Sequence, residues 1–289
     1  MSYFNSPAFR SMSRFTQLDY RYVIDRFWQE HGDKRVAALQ REHVIKLMSG
    51  HQPNRANRLR KVLRAMMAHA IQIGMRADHP TRDVKAVRVK SDGYHSWTEE
   101  EIAQFEARHP VGSRARLALA LLLYTGQRRS DVVRMGRQHV RDGFLYVRQQ
   151  KTGSELVIPV HADLASQIES TTDRLTFLVT ECGCPFATST FTNWFRLQCD
   201  MANLRHCTAH GLRKAAARRL AEAGCTEHEI AAITGHASLR EVARYTRAAD
   251  QKRLAGSAME KAKARTSSVK LPVRFDKEEK ISSAIKVER

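Results

Sequence analysis

Apolar residues return every three to four positions through most of this chain, the spacing of a helix face, and follow strand spacing in one short stretch. Residues 14–29 predict a helix, with Phe15, Leu18, Tyr22, Ile24 and Phe27 at helical spacing, and residues 42–48 predict a shorter one. From Asn54 to Ile73, one side carries Leu59, Val62, Leu63, Met66, Ala70 and Ile73, and the other carries Arg55, Arg58, Arg60, Lys61 and Arg64. Residues 77–94 interrupt the pattern and read as a linker, with His79-Pro80, a charge-rich stretch at 82–90 and Asp92-Gly93. Thr98 with Glu101 three residues on predicts a capping box. The carboxylates of Glu99, Glu100 and Glu101 then complement a helix N-terminus rather than serve as catalytic acids. Residues 115–124 are apolar all round and predict a buried helix. Two strands are predicted at 144–148 and 156–160, joined through Lys151-Thr152-Gly153. Helices are expected through His210 to Arg219, from Thr226 to Ile233, over 238–247, and as a small last helix over 254–264.

Charge adds a partner to this picture. Lys and Arg number 49 against 30 Asp and Glu, a net of +19. Residues 1–90 hold 18 basic and 7 acidic side chains, residues 91–260 hold 22 and 19, and residues 261–289 hold 9 and 4. A polyanion is the natural partner, gripped mostly by the first third. With little acid to pair them, Arg55, Arg58, Lys61 and Arg64 are expected to touch DNA phosphates. No apolar run reaches the ~18 residues of a membrane span. Residues 1–10 lack the apolar stretch of a signal peptide. The five cysteines have irregular spacing, which suits thiols in a reducing cytoplasm and gives no disulfide framework. Cys182-Gly183-Cys184 lacks a second ligand pair at zinc-finger spacing, so no metal or cofactor is expected.

The candidate chemistry lies in five short boxes. They are Thr125-Gly126-Gln127-Arg128, Lys151-Thr152-Gly153, His210-Gly211-Leu212-Arg213, Gly235-His236, and Tyr245 nine residues after His236. Two arginine forks can hold the non-bridging oxygens of a phosphodiester as charge gathers there. A tyrosine is a weak nucleophile near neutrality unless a base takes its proton, and histidine can do that. The departing sugar oxygen needs a proton, which a lysine on a hairpin can supply. His210 and Arg213, three apart on a helix, share a face and can address one phosphate. Lys214, Arg218 and Arg219 follow on the same helix and are expected to approach the DNA backbone.

Together these boxes, in this order and on a basic chain, resemble the tyrosine recombinases of the phage-integrase family over about residues 13–260. The resemblance implies a mainly α fold with a small β-hairpin or sheet. A helical core-binding domain (1–88) would clamp DNA, an α+β catalytic domain (89–265) would follow, and 266–289 would form a basic flexible tail. It implies Arg128, Lys151, His210, Arg213, His236 and Tyr245 as the catalytic set, with Asp131 as a buttress. Arg129 would face outward or touch DNA. The implied activity is site-specific cutting and rejoining of double-stranded DNA through a 3′-phosphotyrosyl bond, without ATP or metal, by a tetramer on specific recombination sites. Type IB topoisomerases share this chemistry, so site-independent relaxation is one alternative. A catalytically silent DNA-binding protein is another.

Overall fold

The computed structural model describes residues 2–89, 93–169 and 175–268, with only the backbone course at 248, 252, 253 and 264–268. Residues 269–289 of the expected tail lie outside this range. The chain divides into two units, Met1–Asp92 and Gly93–Arg289.

In the first unit, a one-turn α1 (Pro7–Arg10) precedes α2 (Arg14–His31), α3 (Arg41–Ser49) and α4 (Pro53–Gln72). The apolar stripe of α4 is buried at Ala56, Leu59, Val62, Leu63, Met67 and Ala70. One side of it packs on Val44 and Met48 of α3, the other on Tyr3, Phe9, Tyr20 and Ile24. Because Leu63 is fully buried, its truncation to alanine would cost about 2–5 kcal/mol. Helix α2 turns a different face inward from the one its aromatics suggest. Tyr20 and Ile24 are buried with Val23 and Phe27 beside them, whereas Phe15, Leu18 and Tyr22 are exposed. Positions 20, 23, 24 and 27 make a tighter helical stripe than 15, 18 and 22, and that stripe meets α4.

The stretch expected to be a free linker is fastened to this unit as far as Val87. The buried Arg76 donates to the Asp78 carboxylate and to the carbonyls of Val36 and Leu39. The Asn57 amide exchanges two 2.8 Å hydrogen bonds with the Val87 backbone, and Val84 is buried.

The second unit begins with α5 (Glu99–Arg108), whose Thr98–Glu101 capping box forms as expected, and the buried α6 (Arg114–Thr125). A short α7 (Arg129–Val132) leads into β1 (Val140–Arg141), β2 (Phe144–Arg148) and β3 (Glu155–Pro159), an antiparallel sheet in that order. Leu145 pairs with Ile158 and Val147 with Leu156, which sets the inward face. Then come α8 (Ala162–Glu169), α9 (Thr188–Met201), α10 (Ala209–Glu222), α11 (Glu227–Thr234) and α12 (Leu239–Ser268). Helix α6 packs against α8 and α10, and α12 lies along α10 and α11.

Two helices depart from expectation. Helix α9, which the pattern reading passed over, buries Phe191, Phe195 and Cys199 at four-residue spacing. Its Thr-rich first turn hides that period. The two helices expected at 238–247 and 254–264 are one rod of 30 residues. The stretch between them, Ala248 to Arg253, holds good helix formers and no proline, so nothing ends the first helix. No helix among the described residues is long and apolar enough to cross a membrane.

Candidate active site

Helix ends deliver most of the candidate residues. Helix α6 stops at Gly126, whose left-handed backbone (φ 60°) turns the chain so that Arg128 sits at the N-cap of α7. The Arg128 guanidinium donates to Oε1 of Gln149 at 2.9 Å, while Arg129 is exposed. One turn into α10, Arg213 is only 2 % exposed. Its Nη1 donates to the carbonyls of Gly126 and Thr234, each at 2.7 Å, and its Nη2 is buried with no partner among the described residues. An unsatisfied buried donor costs about 1–3 kcal/mol, so its retention points to a ligand. Neither arginine has an ion pair among the described residues. Burial, and then the charge of Arg128, lower the Arg213 pKa to about 10, a sign of positive charge held close together.

The histidines feel that charge. Helix α11 ends at Gly235, left-handed at φ 67°, and His236 follows. The Thr234 hydroxyl gives its proton to the Ile230 carbonyl, so it accepts from Nδ1 of His236 at 2.6 Å. Neutral His236 therefore carries its proton on Nδ1 and presents a bare Nε2. Burial, then Arg213 and Arg128, lower its pKa to about 4. The His210 ring stands edge-on to Tyr94 at 4.7 Å. Burial, followed by Arg213, Lys214, Arg129 and Arg128, lowers the His210 pKa.

Tyr245, in the second turn of α12, is half-buried beside Ala217, Ala221, Ile230 and Val242. Burial raises its pKa and Arg213 opposes the rise. The phenol is thus protonated at neutral pH, within electrostatic reach of Arg213 of its own chain.

Two buried glutamines, Gln127 and Gln149, wire these parts together. Gln149 donates to Oε1 of Gln127 (2.7 Å) and to the Thr234 carbonyl (2.9 Å), and its Oε1 accepts from Arg128 and from the Thr152 hydroxyl (2.7 Å). Gln127 donates to the carbonyls of Thr125 and Ile233. One amide thereby joins the first arginine box, the hairpin and the turn before His236. The signal was present: strand alternation puts Leu145, Val147 and Gln149 on the inward face, and an inward amide needs partners.

Asp131 is buried and accepts from the Gln150 backbone N–H at 2.8 Å, which anchors the hairpin, and its second oxygen has no partner among the described residues. Lys151 lies exposed at the hairpin tip, with no hydrogen bond or ion pair to the cluster among the described residues.

The expected DNA-contacting cations divide. Arg55, Lys61 and Arg64 are exposed. Arg58, expected to be unpaired, is clamped on Asp19 and lies over the Tyr22 ring. Lys214 donates to the Tyr94 carbonyl at 2.5 Å. Arg218 and Arg219 grip Glu99 at 2.7 and 2.5 Å instead of facing outward free. Asp19, Tyr94 and Glu99, distant in sequence, supply most of these contacts, which a local count of charge cannot register; Arg218 also pairs with Glu222 one turn on.

The sequence profile of the phage integrase family matches residues 97–252, which span all the boxes. The integrase of Escherichia phage HK022 is 26% identical over 248 residues, covering 80% of this chain and 69% of that protein. The chain spans about half the length (49%) of the phage 434 and lambda integrases that it also matches. A crystal structure of a lambda integrase (75–356) dimer bound to a COC′ core site superposes with a TM-score of 0.73 at 23% identity, covering 82% of this chain and 90% of that one. A lambda integrase tetramer bound to a Holliday junction gives 0.71 at 23% identity, over 82% and 75%. The chain belongs to the phage integrase family, the tyrosine-type site-specific recombinases.

Proposed function

We propose that the protein cuts and rejoins double-stranded DNA at specific recombination sites, with Tyr245 as the nucleophile. The Tyr245 oxygen bonds to the scissile phosphorus, the P–O5′ bond breaks, and a 3′-phosphotyrosyl link remains. A 5′-hydroxyl from a partner strand then reverses the step and frees the phenol. The energy of the original ester is kept in the link, so no ATP is consumed. Arg128 and Arg213 hold the non-bridging oxygens. His236 is a third phosphate contact, protonated as the anion enters. His210 is the base toward Tyr245. Lys151, carried by the hairpin, gives the leaving O5′ its proton. Asp131 fixes the hairpin from beneath. The first unit is the DNA clamp through Arg55, Lys61 and Arg64.

The observation that carries this reading is the unneutralised pair Arg128 and Arg213, with one buried guanidinium nitrogen unpartnered, beside a half-buried tyrosine. Exchange between two duplexes requires four cuts, so the working form is a tetramer on DNA, as in the lambda integrase tetramer on its Holliday junction. A cytoplasmic location accords with five free thiols.

A nicked suicide duplex carrying the target site tests the nucleophile. Tyr245→Phe should bind it with near wild-type affinity and form no covalent adduct; an adduct with this variant overturns the assignment. Lys151→Ala should cleave an ordinary ester slowly and regain speed on a 5′-bridging-sulfur ester, whose leaving group needs no proton.

A further inference from the structure

Four potential metal ligands meet where α5 and α10 begin. His95 precedes α5, Glu101 lies in its first turn, and His206 and Cys207 precede α10. Their ligand atoms all lie within 4.8 Å of one another. The Glu101 carboxylate accepts from Nε2 of His95 (2.7 Å) and from Nε2 of His206 (2.6 Å), and the two imidazoles stand edge to face at 5.0 Å. Cys207 is 1% exposed, while both histidines reach solvent, so the cluster has a closed floor and an open mouth.

The scaffold beneath is held firmly. The Trp97 indole donates to the Thr208 carbonyl at 2.9 Å, and Gln104 donates to the Ala202 carbonyl at 2.7 Å. Gly211 lets α10 approach so closely that a Cβ there would collide with the His95 carbonyl. The Thr98 backbone N–H holds one carboxylate oxygen of Glu101 at 2.8 Å, an outer contact that orients a ligand.

We propose that His95, Glu101, His206 and Cys207 form a Zn²⁺ site that ties the start of α5 to the start of α10. Two imidazole nitrogens, a carboxylate oxygen and a thiolate sulfur are the donors a tetrahedral zinc accepts, and hard Ca²⁺ or Mg²⁺ would refuse the thiolate. On binding, Cys207 loses its proton to solvent, and each imidazole moves its Nε2 proton to Nδ1, so that the freed Nε2 lone pair turns to the metal in place of donating to Glu101. One carboxylate and one thiolate then balance the 2+ ion. Zinc bonds of about 2.0–2.3 Å set the ligand atoms roughly 3.2–3.8 Å apart, so the cluster tightens about the sulfur and opens its His–Glu contacts. The catalytic reading assigns these four residues no role. His210 and Arg213 follow on the helix whose start the metal would fix.

The test is metal binding by the full chain after stripping with a chelator. Wild type should take one Zn²⁺, with a raised thermal midpoint. Substituted Co²⁺ should show a near-ultraviolet thiolate charge-transfer band and the intense visible bands of a four-coordinate ion. Cys207→Ser should lose the charge-transfer band, and His206→Ala, at an exposed position, should bind Zn²⁺ more than about 10-fold less tightly. A variant with both exposed cysteines replaced, Cys182→Ser/Cys184→Ser, should behave as wild type. No thiolate band in wild type overturns the site. So does a band that survives Cys207→Ser and vanishes in the Cys182/Cys184 variant. In that case His95, Glu101 and His206 form an ion-pair network only.

Discussion

Two pairs of arginines in the second unit face opposite fates. Arg218 and Arg219 close on the carboxylate of Glu99, and the Arg219 hydrogen bond leads in holding that carboxyl at about 2. Arg128 and Arg213 are held by an amide oxygen and two backbone carbonyls, which fix position with no ion pair among the described residues. Carboxylate partners turn an arginine into a strut. Neutral partners turn it into an anion site. The first unit repeats the contrast on a single helix: Arg58 is spent on Asp19, whereas Arg55, Lys61 and Arg64 stand free of ion pairs among the described residues.

The sharpest way to break this contrast is to truncate one member of each pair. Arg213→Ala should lower the single-turnover cleavage rate by about 10²–10³-fold, and Arg213→Lys should recover little of it because the fork is lost. Arg218→Met should leave cleavage near wild type and cost no more than about 1 kcal/mol in denaturant unfolding, since the pair is partly solvated. Similar rate losses in both would erase the distinction.

A smaller loss is expected where a neutral holder is removed. Gln149→Leu should slow cleavage by roughly 10-fold or more, as the orientation of Arg128 loosens. In a cycle with Arg128→Ala the two changes should be strongly non-additive; simple additivity would mean that Gln149 acts elsewhere.

The arginine charge also sets a pH signature. In the free protein, NMR titration should find His236 neutral down to about pH 4, against an ordinary value near 6.5. A DNA phosphate between the arginines should raise that value. For stability the sign is fixed: between about 6.5 and 4 the unfolded chain binds a proton that the folded chain refuses, so stability falls as pH drops through this window. Glu99 and Glu101, both held at about 2, add to the loss below their ordinary range. A flat unfolding profile from pH 7 to 4 would contradict the burial of His236.

The mildest effect on cleavage belongs to the clamp. Arg55, Lys61 and Arg64 changed together to alanine should make the slope of log affinity against log salt shallower by up to about 2.7, with cleavage at saturating protein unchanged. Adding Arg58→Ala should shift the slope little and lower thermal stability, because its charge is already met by Asp19.

Much of this was legible in the chain. Capping residues, the apolar run of α6 and the hairpin alternation marked their elements, and the boxes marked Arg128, His210, His236 and Tyr245, which the fold brings within electrostatic reach of Arg213, while Lys151 stays apart at the hairpin tip. Long-range pairing stayed hidden. Nothing local says that Glu99 will meet Arg218 and Arg219, that Asp19 will hold Arg58, or that Glu101 will reach His206, because those separations of 119 and 120, 39 and 105 positions close only when helices pack. The inward face of α2 is hidden for a related reason: Phe15, Leu18 and Tyr22 are as apolar as the buried stripe, and only α4 decides which side is covered.

Gly235 restricts how this sequence can drift. Any other residue adds a Cβ that collides with the Gln149 amide and must also tolerate φ 67°. Shortening Gln149 first relieves only part of that clash, because Leu156 crowds the same Cβ, and it removes the acceptor that steadies Arg128. Each single step is therefore penalised in the background of the other, and the order of change does not help. The two positions form an epistatic lock, and variant libraries randomised at both should return the pair Gly and Gln far more often than the separate tolerance of either position would suggest.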